Sequence, residues 1–186
     1  MCCRVKKKAR KLRITHWTVL PAYLNGELIR GVGKFKYLGH IINDRLTDDD
    51  DLERERRALA VRCNMIARRF ARCTKAVKIT LFMAFCQSFY TCQIWTTYKK
   101  QTYSALRVQY NDAFRIILNH PRYCSAKAMF AEARVSDFYA ILRSRSASFN
   151  ERLCGTKNVI LALVRDDQDS KFKKHWSSMH LSRNIK

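Results

Sequence analysis

Four consecutive carboxylates, Asp48 to Asp51, are the densest group of potential metal ligands or general bases in this sequence. Aspartates chelate a divalent cation when several converge on one point, and calcium loops achieve this by spacing their ligands at alternate positions. Consecutive aspartates at a helix start point in different directions instead, so this run suits the positive end of a helix dipole. Thr47, three residues before Asp50, adds a capping-box-like start. Capping is therefore the role expected of the run, with no metal site and no catalytic residue. The eight cysteines are scattered and form no C-x-x-C pair. Cys2-Cys3 is too tight to hold one tetrahedral metal unaided, and Cys63, Cys86 and Cys92 fall within apolar helical patterns as reduced, buried thiols. His175 and His180 flank Trp176 without a cysteine partner and read as solvated tail residues.

The second chemistry on offer is cationic and aromatic. Lys and Arg number 37 against 15 acidic residues, a net charge of +22, which exceeds what solubility requires and implies a polyanionic partner. Nucleic acid is the first choice and an anionic membrane surface the second, because release of condensed counterions from phosphates drives binding without regard to sequence. The segment Lys34 to Asn43, K-F-K-Y-L-G-H-I-I-N, concentrates both residue classes. Read as one strand at period two, it puts Phe35, Tyr37 and Ile41 on one face and Lys34, Lys36 and His40 on the other. Gly39 inside that strand marks a bulge or a close approach.

These groups need elements to position them. With 47% hydrophobic residues in 186, the chain can bury a real core. Residues 1–13 form a basic arm, an import signal or a phosphate-contacting segment as readily as a solvated charge run. Ile14 to Leu20 regains strand character, and Asn25-Gly26 is a strong hairpin signal. Gly31 and Gly33 make a further corner, so residues 14–46 are expected to form a small antiparallel β-meander. From Leu52 to about Cys73 a helix carries an apolar stripe of Leu52, Leu59, Cys63, Ile66 and Phe70, with Arg54, Arg57, Arg68 and Arg72 opposite as a cationic rail. Lys75 to about Tyr98 is apolar nearly all round and is expected to be the central core helix, its Gln87, Ser88, Thr91 and Gln93 making it too polar to span a membrane. A third helix runs from Thr102 to about Asn119 and stops before Pro121, with Tyr103, Leu106, Tyr110, Phe114 and Ile117 inward. Ser125 caps a short helix to about Arg134. Ser136 caps another to about Cys154, with Phe138, Ile141, Leu142 and Phe149 inward, ended by Gly155. Thr156 to Val164 adds a last short helix. The fold class is α+β, mostly α: a small N-terminal hairpin or meander, a helical bundle over residues 47–164, and a flexible basic tail over 165–186. With no secretory signal and reduced cysteines, an intracellular protein is expected, nuclear or cytoplasmic and not secreted.

The ordered run L-N-G-E-L-I, G-V-G-K-F-K-Y-L-G-H-I-I, D-L-E-R-E-R-R-A, K-I-T-L-F, Q-I-W and Y-N-D-A-F-R-I-I-L resembles the region just downstream of the palm in non-LTR (LINE-type) retrotransposon reverse transcriptases. The resemblance covers roughly Leu24 to Val164. It implies that Lys34, Phe35, Lys36, Tyr37, Leu38 and Gly39 form a primer grip. Within it Gly39 allows close backbone approach, Tyr37 packs or stacks, and Lys36 meets phosphate. It also implies that the following helices form a thumb, with Arg54, Arg57, Arg68 and Arg72 along a primer-template backbone and Trp95 at the end of the core helix. RNA-directed DNA polymerisation in the family uses aspartates of an aromatic-x-Asp-Asp palm motif that bind two divalent metals. This sequence contains no such motif, so by itself the chain is expected to be a catalytically inert fragment without cofactor. Its expected partners are an RNA-DNA hybrid or duplex, with a palm-containing protein or a second copy of itself as further candidates. A helical interaction or scaffold protein, using an exposed thumb core to bind a protein partner, is the alternative.

Overall fold

The computed structural model describes residues 21–167 and 169–181, so the N-terminal basic arm and Ile14 to Leu20 lie outside the described residues. The described residues fall into two units, divided between Gly33 and Lys34. In the first, β1 (Tyr23–Leu24) pairs antiparallel with β2 (Glu27–Leu28), and Ile29 N–H donates to the Ala22 carbonyl at 2.8 Å. Asn25 and Gly26 both take positive φ, 51° and 85°, the backbone that a two-residue hairpin turn requires and these residues tolerate.

The second unit starts with β3 (Lys34–Tyr37) and β4 (His40–Asn43), again an antiparallel pair. The expected meander is thus two separate two-stranded sheets. Helices follow: α1 (Asp49–Arg69), α2 (Lys75–Cys86), α3 (Lys100–Leu118), α4 (Ala126–Glu132), α5 (Phe138–Cys154), α6 (Val159–Asp166) and α7 (Lys171–Leu181). The protein is α+β and mostly α.

The core is built on α1 against α3. Leu52, Leu59, Cys63 and Ile66 of α1 and Leu106, Tyr110, Phe114 and Ile117 of α3 are buried, as their spacing predicts. Phe82 of α2 packs on both, with its ring centroid 4.8 Å from Phe114 and 5.2 Å from Tyr110. Each such buried large side chain contributes about 1.5–3 kcal/mol. Three expectations are corrected here. The helix from Lys75 stops at Cys86 and is not the central element: Lys78, Phe82 and Cys86 are its buried stripe, while Val77, Met83 and Phe85 are exposed. The chain then turns through Phe89 and Thr91, both at positive φ, into one 3₁₀ turn at Cys92–Ile94. The physical reason is side-chain hydrogen bonding that competes with the helix. Gln87 Nε2 donates to the Tyr110 hydroxyl at 2.9 Å and to the Ser136 carbonyl at 3.3 Å, and Thr91 and Trp95 reach Asp51.

Second, the cap of α5 is Asp137, not Ser136. Its Oδ1 accepts from Ala140 N–H at 2.7 Å, and Gly155 closes the helix at φ −84° without using glycine's left-handed freedom. Third, the tail expected to fray contains α7. His175 is half-buried, its ring edge-on to Tyr98 at 5.6 Å, and Phe172 meets Phe149 at 5.0 Å. Apolar density alone underestimates such a helix, because two aromatic contacts suffice to dock it. The buried thiols are as expected: burial pushes Cys63 up to about 11 and Cys86 and Cys92 up to about 12. Among the described residues no helix is long and apolar enough to cross a membrane.

Candidate nucleic-acid interface

The grip-like segment is a hairpin, and its turn is Leu38-Gly39. Both residues have positive φ, 45° and 86°. Gly39 is therefore a turn residue rather than a strand bulge. A Cβ at Gly39 would stand 3.0 Å from Tyr90 Cε1, so the close approach expected there is to a side chain. The turn also changes the faces. Residues directly opposite across a hairpin share a face, and the pairs are Phe35 with Ile42, Lys36 with Ile41, and Tyr37 with His40. Phe35, Tyr37, His40 and Ile42 thus share one side and Lys34, Lys36, Ile41 and Asn43 the other, exchanging His40 and Ile41 relative to an uninterrupted strand. Phe35 and Tyr37 are each 57% exposed and stack with centroids 6.5 Å apart. Lys36 is exposed and has no carboxylate partner among the described residues. Lys34 is anchored instead, its Nζ 2.6 Å from Asp50 Oδ1.

All four aspartates act as tertiary ties. Asp48, the residue before α1, makes no side-chain capping bond; its Oδ2 accepts the N–H groups of Thr96 and Thr97, each at 2.8 Å. Asp49 accepts Lys99 N–H at 3.0 Å, and Asp50 accepts from Lys34 and from Asn43 Nδ2 at 3.0 Å. Asp51 is fully buried. Its Oδ1 accepts Arg54 Nε at 2.7 Å and Ile41 N–H at 3.1 Å; its Oδ2 accepts Trp95 Nε1 at 2.8 Å and Thr91 Oγ1 at 3.0 Å. His40 Nδ1 lies 3.0 Å from the same Oδ2. Burial opposes ionisation of Asp51, but the bonds from Arg54, Trp95 and the Ile41 amide outweigh it and hold the carboxyl below its ordinary range. Spacing alone suggested capping. The role as a junction between hairpin, α1 and the segment before α3 was legible only in the choice of aspartate four times over.

The rail is shorter than the helical wheel indicates. Arg54 turns inward, binding Asp51 and, through Nη1, Glu55 Oε2 at 3.2 Å; Glu55 is itself buried and also paired with Arg62. The inward turn follows from the need of two buried carboxylates for a cation. Arg57 is 76% exposed but shares Glu53 with Arg56. The bond from Arg56 chiefly drives the Glu53 carboxyl down to about 2. Arg68 is exposed on the last turn of α1, and Arg72 lies in the turn after it because the helix ends at Arg69. Arg69, not singled out from the wheel, is exposed beside them, and its signal was the clustering of basic residues at a helix C-terminus. None of these three has a carboxylate partner among the described residues. At 1.5 Å per residue the Arg68 end lies roughly 25 Å along the axis from Asp51. The candidate surface is therefore an exposed aromatic pair on one face of the hairpin, Lys36 on the opposite face, and a separate arginine cluster at the far end of α1, not one continuous line.

Among the described residues no group of three or more His, Cys, Asp or Glu is placed to hold a metal ion. The aspartates of the run do not fit the two metals of polymerisation, since Asp51 is sealed from solvent and each of the four spends at least one oxygen on a protein N–H or cation. No family model, curated protein or solved structure matches this chain.

Proposed function

We propose that this chain is a thumb-and-grip module of the reverse-transcriptase kind that binds the backbone of duplex or hybrid nucleic acid without sequence preference and does not polymerise by itself. The observation that carries the reading is the unneutralised arginine cluster at the end of α1, on a chain of net charge +22. Solvent-exposed guanidiniums without internal carboxylates are free to meet phosphate bidentately. The exposed Phe35–Tyr37 pair adds a surface on which a base or sugar can pack, with Lys36 on the opposite face of the same strand. Nucleotide addition would require metals held by a palm, supplied by another polypeptide segment. The test is a salt titration of binding to a duplex and to an RNA-DNA hybrid. Log K is expected to fall linearly with log salt, with a slope near −0.9 per phosphate neutralised on B-form duplex. Absence of binding to either at low ionic strength overturns the reading.

A second reading, a helical interaction protein, is favoured by one specific feature: α6 buries no residue and leaves Val159 75% and Ile160 72% exposed, while α2 exposes Met83 and Phe85. Apolar surface of this kind marks association sites. Sedimentation analysis separates the two. A monomer that binds duplex supports the first reading, and a stable oligomer indifferent to nucleic acid supports the second.

A further inference from the structure

Between α7, α5 and the start of α3 lies an open cavity of about 340 Å³ that includes none of the residues of the candidate nucleic-acid interface. Its walls are tyrosines: Tyr98, at the approach to α3, and Tyr103 lie parallel within 8° with centroids 4.9 Å apart, and Tyr139 of α5 stands 6.4 Å from Tyr103. Arg107 lies over the Tyr139 ring at 5.9 Å and helps to fix that wall. One helical turn beyond Tyr139, Arg143 lines the same cavity with no carboxylate partner among the described residues. His175 of α7 supplies a polar edge, its Nε2 3.3 Å from the Tyr98 hydroxyl. Burial, partly offset by Asp48, holds this imidazole below its ordinary value, so it is neutral at neutral pH and can donate or accept.

From this combination we infer that the cavity is a binding site for a single nucleotide unit, a planar base received by the tyrosine walls with its phosphate on Arg143. Aromatic side walls select a flat π-system, since each base–aromatic stack is sequence-tolerant and favourable. The unpartnered guanidinium selects an anion on that group, and a charge-assisted pair in a partly desolvated cleft is stronger than one at an open surface. The volume falls in the range of small-ligand sites, about 300–1,000 Å³. The acidic group nearest in the electrostatics of His175, Asp48, does not oppose the anion freely, because its Oδ2 is engaged by two backbone amides. The inference draws on the nucleic-acid reading only for its choice of ligand and names a different site from the arginines at the end of α1.

The probe is adenosine 5′-monophosphate, titrated into the full chain by calorimetry. Tryptophan emission is followed in parallel, since Trp95 lines a chamber of about 10 Å³ that shares Tyr98, Tyr103 and His175 with the cavity. Saturable binding of the monophosphate, with adenosine about tenfold weaker, is the expected result. Arg143→Gln should lower monophosphate affinity to the adenosine level and leave adenosine unchanged, and Tyr139→Leu should weaken both, each variant keeping the parent circular dichroism spectrum. A single-stranded oligoadenylate that displaces the monophosphate identifies an unpaired nucleotide of a strand as the source, and no displacement identifies a free nucleotide. Failure of the monophosphate to bind at millimolar concentration, or binding indifferent to Arg143→Gln, overturns the inference. Duplex binding measured on the same preparation tells this failure apart from failure of the backbone reading: salt-sensitive duplex binding without monophosphate binding removes only the cavity site.

Discussion

The two ends of α1 use charge in opposite ways. At its start, Asp48 to Asp51 and Glu55 are all engaged by internal donors, and two of the five are fully or almost fully buried. At its end, Arg68 and Arg69, with Arg72 just beyond, have no carboxylate within reach among the described residues. Buried carboxylates cannot remain ionised without partners, so the acidic end recruits cations and amides from three segments and becomes a structural joint. Exposed arginines have no such compulsion and stay available to a ligand. In a chain so basic, where the acidic residues go decides which cations are left over.

The sharpest way to break this contrast is at the joint. Asp51→Ala leaves Trp95 Nε1 and the Ile41 amide without their acceptor and removes one of the partners of Arg54 and Thr91, and it is expected to cost about 3–5 kcal/mol, read from the denaturant midpoint. A midpoint within error of the parent would refute the role of junction. The same group predicts a pH dependence. Because the folded carboxyl titrates below the ordinary value of 3.8, its stabilisation is fully present above that pH and disappears as pH falls through the lower, folded value. Urea unfolding at pH 7 and pH 3 should show a loss in the parent that is smaller in Asp51→Asn.

At the other end of the helix, reversing Arg68, Arg69 and Arg72 to Glu should leave unfolding within roughly 0.5 kcal/mol of the parent. Duplex affinity should drop at least tenfold, and the salt slope should shrink by about 0.9 for each phosphate no longer neutralised. Arg54→Gln is the counter-case, expected to weaken folding more than binding because Arg54 faces inward; the reverse outcome would restore the longer rail. Two smaller effects test the hairpin. Gly39→Ala, at φ 86° and against Tyr90, should cost about 1–2 kcal/mol in thermal or chemical unfolding. Leu38→Asn, which gives the second turn the Asn-Gly pair that Asn25-Gly26 gives the first, should raise stability by about 0.5 kcal/mol. A destabilised Leu38→Asn would mean that the exposed Leu38 side chain makes an interaction worth more than turn strain.

Much of the scaffold was legible from local pattern. The stripe Leu52, Leu59, Cys63, Ile66 and its counterpart Leu106, Tyr110, Phe114, Ile117 follow the helical period, and both are buried as that period requires. The candidate site was less so. Period-two reading assigned the wrong face to His40 and Ile41 because Leu38, a poor residue for left-handed backbone, gives no turn signal, and Gly39 alone does not distinguish a bulge from a turn. The helix drawn through Gln87 to Tyr98 had its own warning in those polar residues, which reach long-range partners that local periodicity does not register. Arg54 sits on the polar side of a helical wheel, yet it is drawn to Asp51 and Glu55, one helical turn back and one residue on.

What the amino-acid order determined by itself is the kind of molecule: an excess of cations, a hairpin at Asn25-Gly26, and amphipathic helices whose stripes must meet. Only tertiary structure decided which charges are spent and which remain. That assignment depends on burial and on partners 40 or more residues away, such as Trp95 and Thr91 at Asp51 or His175 at Tyr98. A periodicity of two or 3.6 carries no information about such distant encounters.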